Sequence, residues 1–325
     1  MNIKEIAKLA GVSVATVSRV INDSNDVTEE TKEKVRKVIS EHNYEPDFIA
    51  KSLRGGKTDI FGVIFLKSDS DLNDSYSTAF LMGVLNFMLH HGKRTIVEAS
   101  YKDDKLKAYK KLISSSLVDG FILLDLEEDD ERVRYLKSIN IPFVVVGQNS
   151  KNDFIFIDTD NTNGGYLGIK SLYGIGCRNI LYISGTKGPC VSSQRLEGVK
   201  KACAELGISA DIQYGDFEKE SGYRIAKSTQ LIGYDGVFCA SDFMAYGVME
   251  FMKEKKISMP IIGFDDLSES KILGLTSIRQ DIRNVGYLCA SKLNDVILGK
   301  DASSQILPVE CVERGSTKNF RKPQK

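Results

Sequence analysis

The sequence predicts an all-α helix-turn-helix headpiece followed by an α/β core of two lobes. Three observations predict it. Two short amphipathic stretches are joined by the three-residue turn Gly11-Val12-Ser13, Gly55-Gly56 marks a boundary, and from Ile60 onward short apolar runs alternate with longer amphipathic ones. A chain of 325 residues exceeds what a single core spans.

The headpiece is built from capping and periodicity. Asn2 caps a first helix with Glu5 three residues later, and Ile3, Ile6, Ala7 and Ala10 fall on one face. Gly11 ends that helix, Ser13 caps the second with Thr16 at its third position, and Val17, Val20 and Ile21 point inward. Thr28 caps a third helix, in which Val35, Val38 and Ile39 complete the core, with Tyr44 packing beyond it. The small Ala7 lets the helices cross closely and Val12 plugs the angle between them. Val14, Ala15, Ser18, Arg19 and Asn22 are then left on the outward face of the second helix. In a helix-turn-helix this face enters the major groove, where Ala or Val touches thymine methyls and Arg reads guanine. The same pattern is also compatible with a plain packing unit.

In the core, the runs Ile60–Leu66, Thr95–Glu98, Phe121–Leu124, Phe143–Val146, Ile180–Ile183, Val237–Cys239 and Ile261–Gly263 read as strands between helices, hence parallel sheets covered on both faces. These elements are too many for one sheet, and two similar lobes with a cleft between them are expected.

Composition restricts the function classes. Lysine plus arginine balance aspartate plus glutamate at 44 each, and residues 1–59 carry ten of each sign, so no bulk basic charge argues for nucleic acid. The six cysteines have no C-x-x-C spacing and are expected to be reduced core residues. Neither a secretory leader nor an apolar run near 18 residues is seen, so a cytoplasmic protein with no membrane association is expected. His42 and the adjacent His90-His91 suit neither a metal site nor a triad. Gly56-Lys57-Thr58 lacks the earlier glycine of a phosphate loop, and Gly174-x-Gly176 lacks the third glycine of a dinucleotide fingerprint. No enzyme activity, catalytic residue, cofactor or metal is expected.

The segments Ile3–Ser13 and Ala15–Asn22, then Val27, Thr31, Val35, Asn43-Tyr44, Pro46 and Ala50-Lys51-Ser52-Leu53-Arg54, resemble the lactose-repressor (LacI) family of bacterial transcription regulators. The resemblance continues through Asp158, Asp160-Asn161, Arg195 with Gly198, Ser241-Asp242, Gly263-Phe264-Asp265-Asp266 and Gln280, and so covers nearly the whole chain. Val118–Leu124, Tyr135-Leu136-Lys137 and Ile141–Gly147 are similar to the maltose-type branch.

The resemblance implies a periplasmic-binding-protein-like core, a homodimer formed mainly through the first lobe, double-stranded operator DNA as partner and a mono- or oligosaccharide as effector. It implies DNA contacts from Val14, Ala15, Thr16, Ser18, Arg19, Asn22 and Thr31, and from Ala50, Leu53 and Arg54 in a hinge helix over about 46–55. Leu53 would wedge between base steps of the minor groove, at a cost that a deformable step repays.

The implied division is a DNA-binding domain over 1–57 and an effector and dimerisation domain over 58–325, with lobes of about 58–158 plus 289–317, and 159–288. Arg195, Asp265, Ser241 and Asp242 would line the effector cleft, with Phe217 as an aromatic floor and Tyr76 near the end of the first strand. Carboxylates and a guanidinium pair with vicinal hydroxyls, and an aromatic face stacks on a pyranose. Departures from the family pattern at Asp74-Ser75-Tyr76, Ser241 and Gly147 leave the effector's identity open. Two other readings stay in view: a carbon-catabolite regulator governed by a protein co-regulator, and a sugar receptor without DNA function.

Overall fold

Helix α1 (Ile3–Ala10) starts in the expected capping box: Asn2 Oδ1 accepts from the amides of Lys4 and Glu5 at 3.0 and 3.1 Å, and Glu5 Oε2 accepts from the Asn2 amide at 2.8 Å. Gly11 ends it at φ 63°, the left-handed region that glycine reaches without strain. Ser13 Oγ then accepts from the Thr16 amide at 3.1 Å to start α2 (Val14–Ile21). Before α3 (Glu29–Glu41) the expectation needs correction. Thr28 stands at the N-cap but makes no side-chain cap; its hydroxyl bonds that of Thr31 at 2.9 Å instead. Ile6, Ala10, Val17, Val20, Val35 and Tyr44 are buried together, with Val14 and Ile21 half-buried against them.

The computed structural model describes residues 1–21, 24, 26–42, 44, 57–67, 75–101 and 103–320. Its two compact units are Met1–Asp59 with Leu112–Asp119, and Ile60–Lys111 with Gly120–Lys325.

The larger unit holds two six-stranded sheets. The first comprises β1 (Ile60–Lys67), β2 (Arg94–Tyr101), β3 (Gly120–Leu123), β4 (Phe143–Val146), β5 (Phe156–Thr159) and β11 (Gln305–Leu307), in the order β11-β5-β4-β3-β1-β2, all parallel. The second comprises β6 (Asn179–Ser184), β7 (Ser209–Tyr214), β8 (Gly236–Cys239), β9 (Ile261–Asp265), β10 (Thr276–Arg279) and β12 (Glu310–Val312), in the order β12-β10-β9-β8-β6-β7, with only β12 antiparallel. Helices α4 (Ser75–His91), α5 (Lys107–Ser114), α6 (Glu131–Ser138) and α12 (Ile282–Ile297) accompany the first sheet. Helices α7 (Asn161–Gly174), α8 (Cys190–Leu206), α9 (Lys219–Thr229), α10 (Asp242–Lys255), α11 (Ser268–Leu273) and α13 (Gly315–Lys318) accompany the second.

The chain passes between the lobes at residues 159–161, 279–282 and 307–310. Expecting 289–317 as one piece of the first lobe was wrong at both ends. Helix α12 joins the first-lobe core from Ile282, with Val285, Cys289 and Leu293 buried in it. After Pro308, β12 pairs with β10, and the Ser316 hydroxyl bonds Ile261 O at 2.7 Å, which ties this tail to the second lobe.

Three helix pairs approach through reciprocal glycines. A β-carbon at Gly165 of α7 would lie 2.0 Å from the carbonyl oxygen of Arg195 on α8, and one at Gly198 would lie 1.8 Å from that of Thr162. Gly83 with Gly286 does the same for α4 and α12, and Gly222 with Gly247 for α9 and α10. Glycine inside a helix costs about 1 kcal/mol relative to alanine, so each close approach outweighs an intrinsic penalty. Gly198→Ala should therefore destabilise the protein by roughly 2 kcal/mol or more despite its better helix propensity, because backbone must move to admit the methyl group. Denaturant unfolding checks this, and a stabilised variant would contradict the packing argument.

Candidate functional sites

On the headpiece, Ala15 and Arg19 are exposed on one side of α2, with Ser18 and Thr16 partly exposed. Thr16 is already engaged, its hydroxyl 2.9 Å from that of Ser13. Val14 packs against the headpiece core, and Thr31 sits half-buried in the first turn of α3. The side chain expected to read guanine is thus presented outward. Asn22, Ala50, Leu53, Arg54 and the whole expected hinge helix lie outside the described residues.

Between the lobes, the chemistry gathers on Arg195. Helix α8 places it, 4% exposed, with Nε donating to Asn161 Oδ1 at 2.9 Å and Nη1 donating to Ala240 O. Its Nη2 lies 3.7 Å from Asp265 Oδ1, and its guanidinium stacks 3.5 Å above the Phe264 ring. A buried guanidinium needs such partners, because an unpaired buried charge is strongly destabilising. Asp265 closes β9 at φ 117°, a strained value for a residue with a side chain, and accepts from Gln280 Nε2 at 2.6 Å. Gln280 Oε1 in turn accepts from the Thr159 hydroxyl at 3.0 Å, and Asn161 Nδ2 donates to Asp158 Oδ1 at 2.9 Å. A buried polar chain thus runs Thr159–Gln280–Asp265–Arg195–Asn161–Asp158 and touches two of the three passages between lobes.

Tyr76, half-buried on α4, faces the same group. Burial first, then the Asp265 and other carboxylates, push its phenol upward, while Arg195 opposes them. Phe217 takes φ 70° and lays its ring where Gly185 leaves room, a β-carbon there being 1.9 Å from the ring.

Two expected cleft residues are used otherwise. Ser241 caps α10 by accepting from the Met244 amide at 3.2 Å and donates to Phe217 O at 3.3 Å. Asp242 is fully buried, with Oδ2 accepting from the Leu267 amide and the Ser270 hydroxyl at 2.8 and 2.6 Å, and Oδ1 from the Ser277 hydroxyl at 2.6 Å. Burial, then Asp265, push this carboxyl up to about 8. It braces α10 against β10 and α11 and does not open on the cleft. Asn161, Gln280 and Phe264 were matched to the family pattern without a role, yet they hold Arg195 and Asp265 directly.

The lobes also meet beside this group. The Cys190 amide donates to Leu126 O at 2.9 Å, Glu127 and Pro189 form an antiparallel bridge, and Gln194 Nε2 donates to Gln148 O at 3.1 Å. Ser75 bonds Glu269 across the lobes, and Leu267 of the second lobe is buried in the first-lobe core. A cavity of about 810 Å³ opens beside Asp265, Gln280, Arg279, Ser75, Glu269 and Asp281, and another of about 520 Å³ beside Asn161. Among the described residues there is no group of histidine, cysteine or acidic side chains suited to a metal, and no helix is long and apolar enough to cross a membrane.

Burial raises Asp158 to about 6, against the opposing pull of the Thr159 amide, Gln148 and Arg195. A carboxyl held above its unfolded value near 3.9 binds its proton more tightly in the native state. Its contribution is full below that value and is lost as pH rises through about 6. Relative to Asp158→Asn, the wild type should therefore lose stability between about pH 4 and pH 6. Urea midpoints measured across that window check the sign, and parallel profiles would remove Asp158 from the account.

Comparison with known proteins draws these observations together. Residues 2–47 match the model for bacterial regulatory proteins of the lacI family, and residues 169–317 match that for a periplasmic binding protein-like domain. The chain is 30% identical over 281 residues to the HTH-type transcriptional regulator MalR of Streptococcus pneumoniae, covering 82% of this chain and 84% of MalR. It is 32% identical to the HTH-type transcriptional repressor PurR of Proteus mirabilis, over 97% and 96% of the two chains. Among solved structures it is similar to the lac repressor dimer bound to operator and the anti-inducer ONPF, with TM-score 0.85, 25% identity and 98% and 99% of the chains covered. A complex of the transcriptional regulator CelR with cellobiose matches with TM-score 0.74, 25% identity and 97% and 99% coverage. The helix-turn-helix headpiece and the two-lobed binding core are thus those of a DNA-binding transcription regulator with no enzymatic role, and the chain belongs to the LacI family.

Proposed function

We propose that residues 1–57 bind operator DNA as one half of a homodimer, and that residues 58–325 bind a saccharide whose occupancy sets the strength of that grip. The reading of the effector rests above all on the geometry of Arg195 and Asp265. Their 3.7 Å separation exceeds a direct hydrogen bond, and a sugar hydroxyl bridges such a pair by donating to the carboxylate and accepting from Nη2. Tyr76 offers aromatic surface beside it, and the Phe217 ring serves as the aromatic floor in this reading. In this reading Ser241 and Asp242 support the site from behind.

On DNA, Ala15, Ser18 and Arg19 discriminate bases, and phosphate contacts supply sequence-independent affinity. Ala50, Leu53 and Arg54 act in a hinge helix over about 46–55, with Leu53 entering the minor groove. The lac repressor bound to operator supports the dimeric arrangement, and the CelR complex with cellobiose supports a saccharide as effector class. Saccharide closure of the cleft shifts the balance between two lobe arrangements, a coupling on the order of 1–3 kcal/mol.

Two substitutions separate the halves of the proposal. Arg19→Ala should weaken binding to duplexes selected by the wild type from a random library by about 1–3 kcal/mol and relax preference at one position per half-site. A uniform loss across sequences would instead make Arg19 a phosphate contact. Arg195→Ala should abolish the melting-temperature rise produced by a saccharide found by thermal-shift screening, while ligand-free DNA binding persists. A normal rise in that variant would place the effector elsewhere.

A further inference from the structure

Each lobe grips the chain ahead of its first strand with an aspartate. Asp119 precedes β3 and Asp235 precedes β8, each followed by a glycine. The registers Phe61↔Gly120 and Ile180↔Gly236 make β1 the counterpart of β6. Asp235 accepts from the Arg178 amide at 2.9 and 2.8 Å and from the Asn179 amide at 2.9 Å. Asp119 reaches one residue further from its strand. Its Oδ1 accepts from the Thr58 amide at 2.7 Å and the Thr58 hydroxyl at 2.9 Å, and its Oδ2 accepts from the Asp59 amide at 2.7 Å. Bonds of this kind, to an ionised acceptor, are stronger than neutral ones. Between them Asp59 takes φ 57°, a left-handed conformation that a residue with a side chain enters only when its surroundings hold it there.

What leads into the two strands differs. Strand β6 follows α7 of the same lobe through residues 175–178, where buried Cys177 already donates its amide to Leu172 O at 3.1 Å. The chain is therefore fixed before Asp235 takes hold of it. Strand β1 instead follows residues 1–57, which carry the headpiece, and Leu112–Asp119 belongs to one compact unit with Met1–Asp59. We infer that Asp119 is a positioning residue for operator binding: by gripping Thr58 and Asp59 it sets the point and direction from which the chain departs toward the headpiece. The inference rests on the reading above of an operator-binding homodimer. Without the grip, residues 58 and 59 regain backbone freedom and lengthen each tether by up to about 3.5 Å per residue. Two headpieces meet half-sites at a fixed separation, and their joint affinity depends on the length and stiffness of what tethers them. Asp119 thus acts on how strictly the dimer demands one half-site spacing, without touching DNA.

Fluorescence-anisotropy titration of the full-length protein tests this, with two probes. One is the tightest duplex that the wild type selects from a random library, and the other is that duplex with one base pair inserted at its centre. Asp119→Ala should bind the selected duplex about tenfold more weakly, and the ratio of its affinities for the two duplexes should fall about threefold. That ratio is internal to each variant, and a protein that is merely less stable keeps it. Asp235→Ala removes the corresponding grip in the second lobe; it should lower the melting temperature and leave both DNA readouts at the wild-type level. Should Asp119→Ala fail to fold, as judged by its melting curve, Thr58→Val carries the test, because it removes the hydroxyl bond alone and should weaken binding about threefold. Wild-type affinity in the Asp119 and Thr58 variants, or equal losses in Asp235→Ala, would overturn the positioning role and leave the DNA-binding reading intact. A loss of affinity in Asp119→Ala with the spacing ratio unchanged would overturn it as well. Selection of no duplex by the wild type would overturn both.

Discussion

A guanidinium buried between two lobes is costly unless its partners hold it, and the second lobe is arranged to supply them. Arg195 sits on a helix that approaches α7 closely enough to forbid a β-carbon at Gly165 or Gly198. That approach brings Asn161, the first residue of α7, within 2.9 Å of Nε. The face of Phe264 and the carbonyl of Ala240 complete the enclosure, and Asp265 balances the charge. Removing one partner would leave charge or hydrogen-bonding capacity exposed to a low-dielectric interior, where the penalty is several kcal/mol. Packing of glycines and placement of the buried charge are therefore one constraint.

The same polar chain has a mechanical meaning. Thr159 and Asn161 flank the first passage between lobes, Gln280 stands at the second, and Asp265 ends a strand of the second lobe in strained backbone. On the proposed reading, a change in what Asp265 and Arg195 bind would be transmitted to the passages through hydrogen bonds that either form or break. Close-packed helices do not deform by small degrees, so such a response would favour two arrangements over a continuum. The bonds from Cys190 to Leu126 and from Gln194 to Gln148 tie the two lobes together in this structure.

Much of this was legible in the sequence, for reasons that differ by element. The capping box at Asn2 and Glu5, the αL turn at Gly11 and the Ser13 cap are local chemistry, and they appear as read. The runs Ile60–Leu66, Phe121–Leu124 and Phe143–Val146 are continuous apolar strands because both faces of a parallel sheet are covered. Strands β5, β7 and β10 escaped detection because Phe-Ile-Asp-Thr, Ser-Ala-Asp-Ile-Gln-Tyr and Thr-Ser-Ile-Arg carry polar groups at an edge or a passage. Arg195 and Asp265 were visible through resemblance, whereas the passage of residues 310–317 to the second lobe depends on a long-range antiparallel pairing that no local pattern announces. Asp242 was misplaced for a similar reason. Its position next to the cap of α10 resembles a cleft residue, and only Ser270, Ser277 and Leu267, distant in sequence, reveal that its oxygens are already occupied.

Placing Asp242 behind the site also explains why a second carboxyl is tolerated near Asp265. Two ionised groups so close in a buried setting repel each other, and the raised affinity of Asp242 for a proton expresses that repulsion together with burial. Ser270 and Ser277 hydroxyls and the Leu267 amide offset it by donating to the carboxylate, while Arg195 lies on the side of Asp265. Asp265 thus keeps the cation, and Asp242 makes do with neutral donors. On the proposed reading, a ligand hydroxyl donating to Asp265 would partly offset its negative charge, so that filling the cleft would also lessen the repulsion felt by the buried acid that fixes α10.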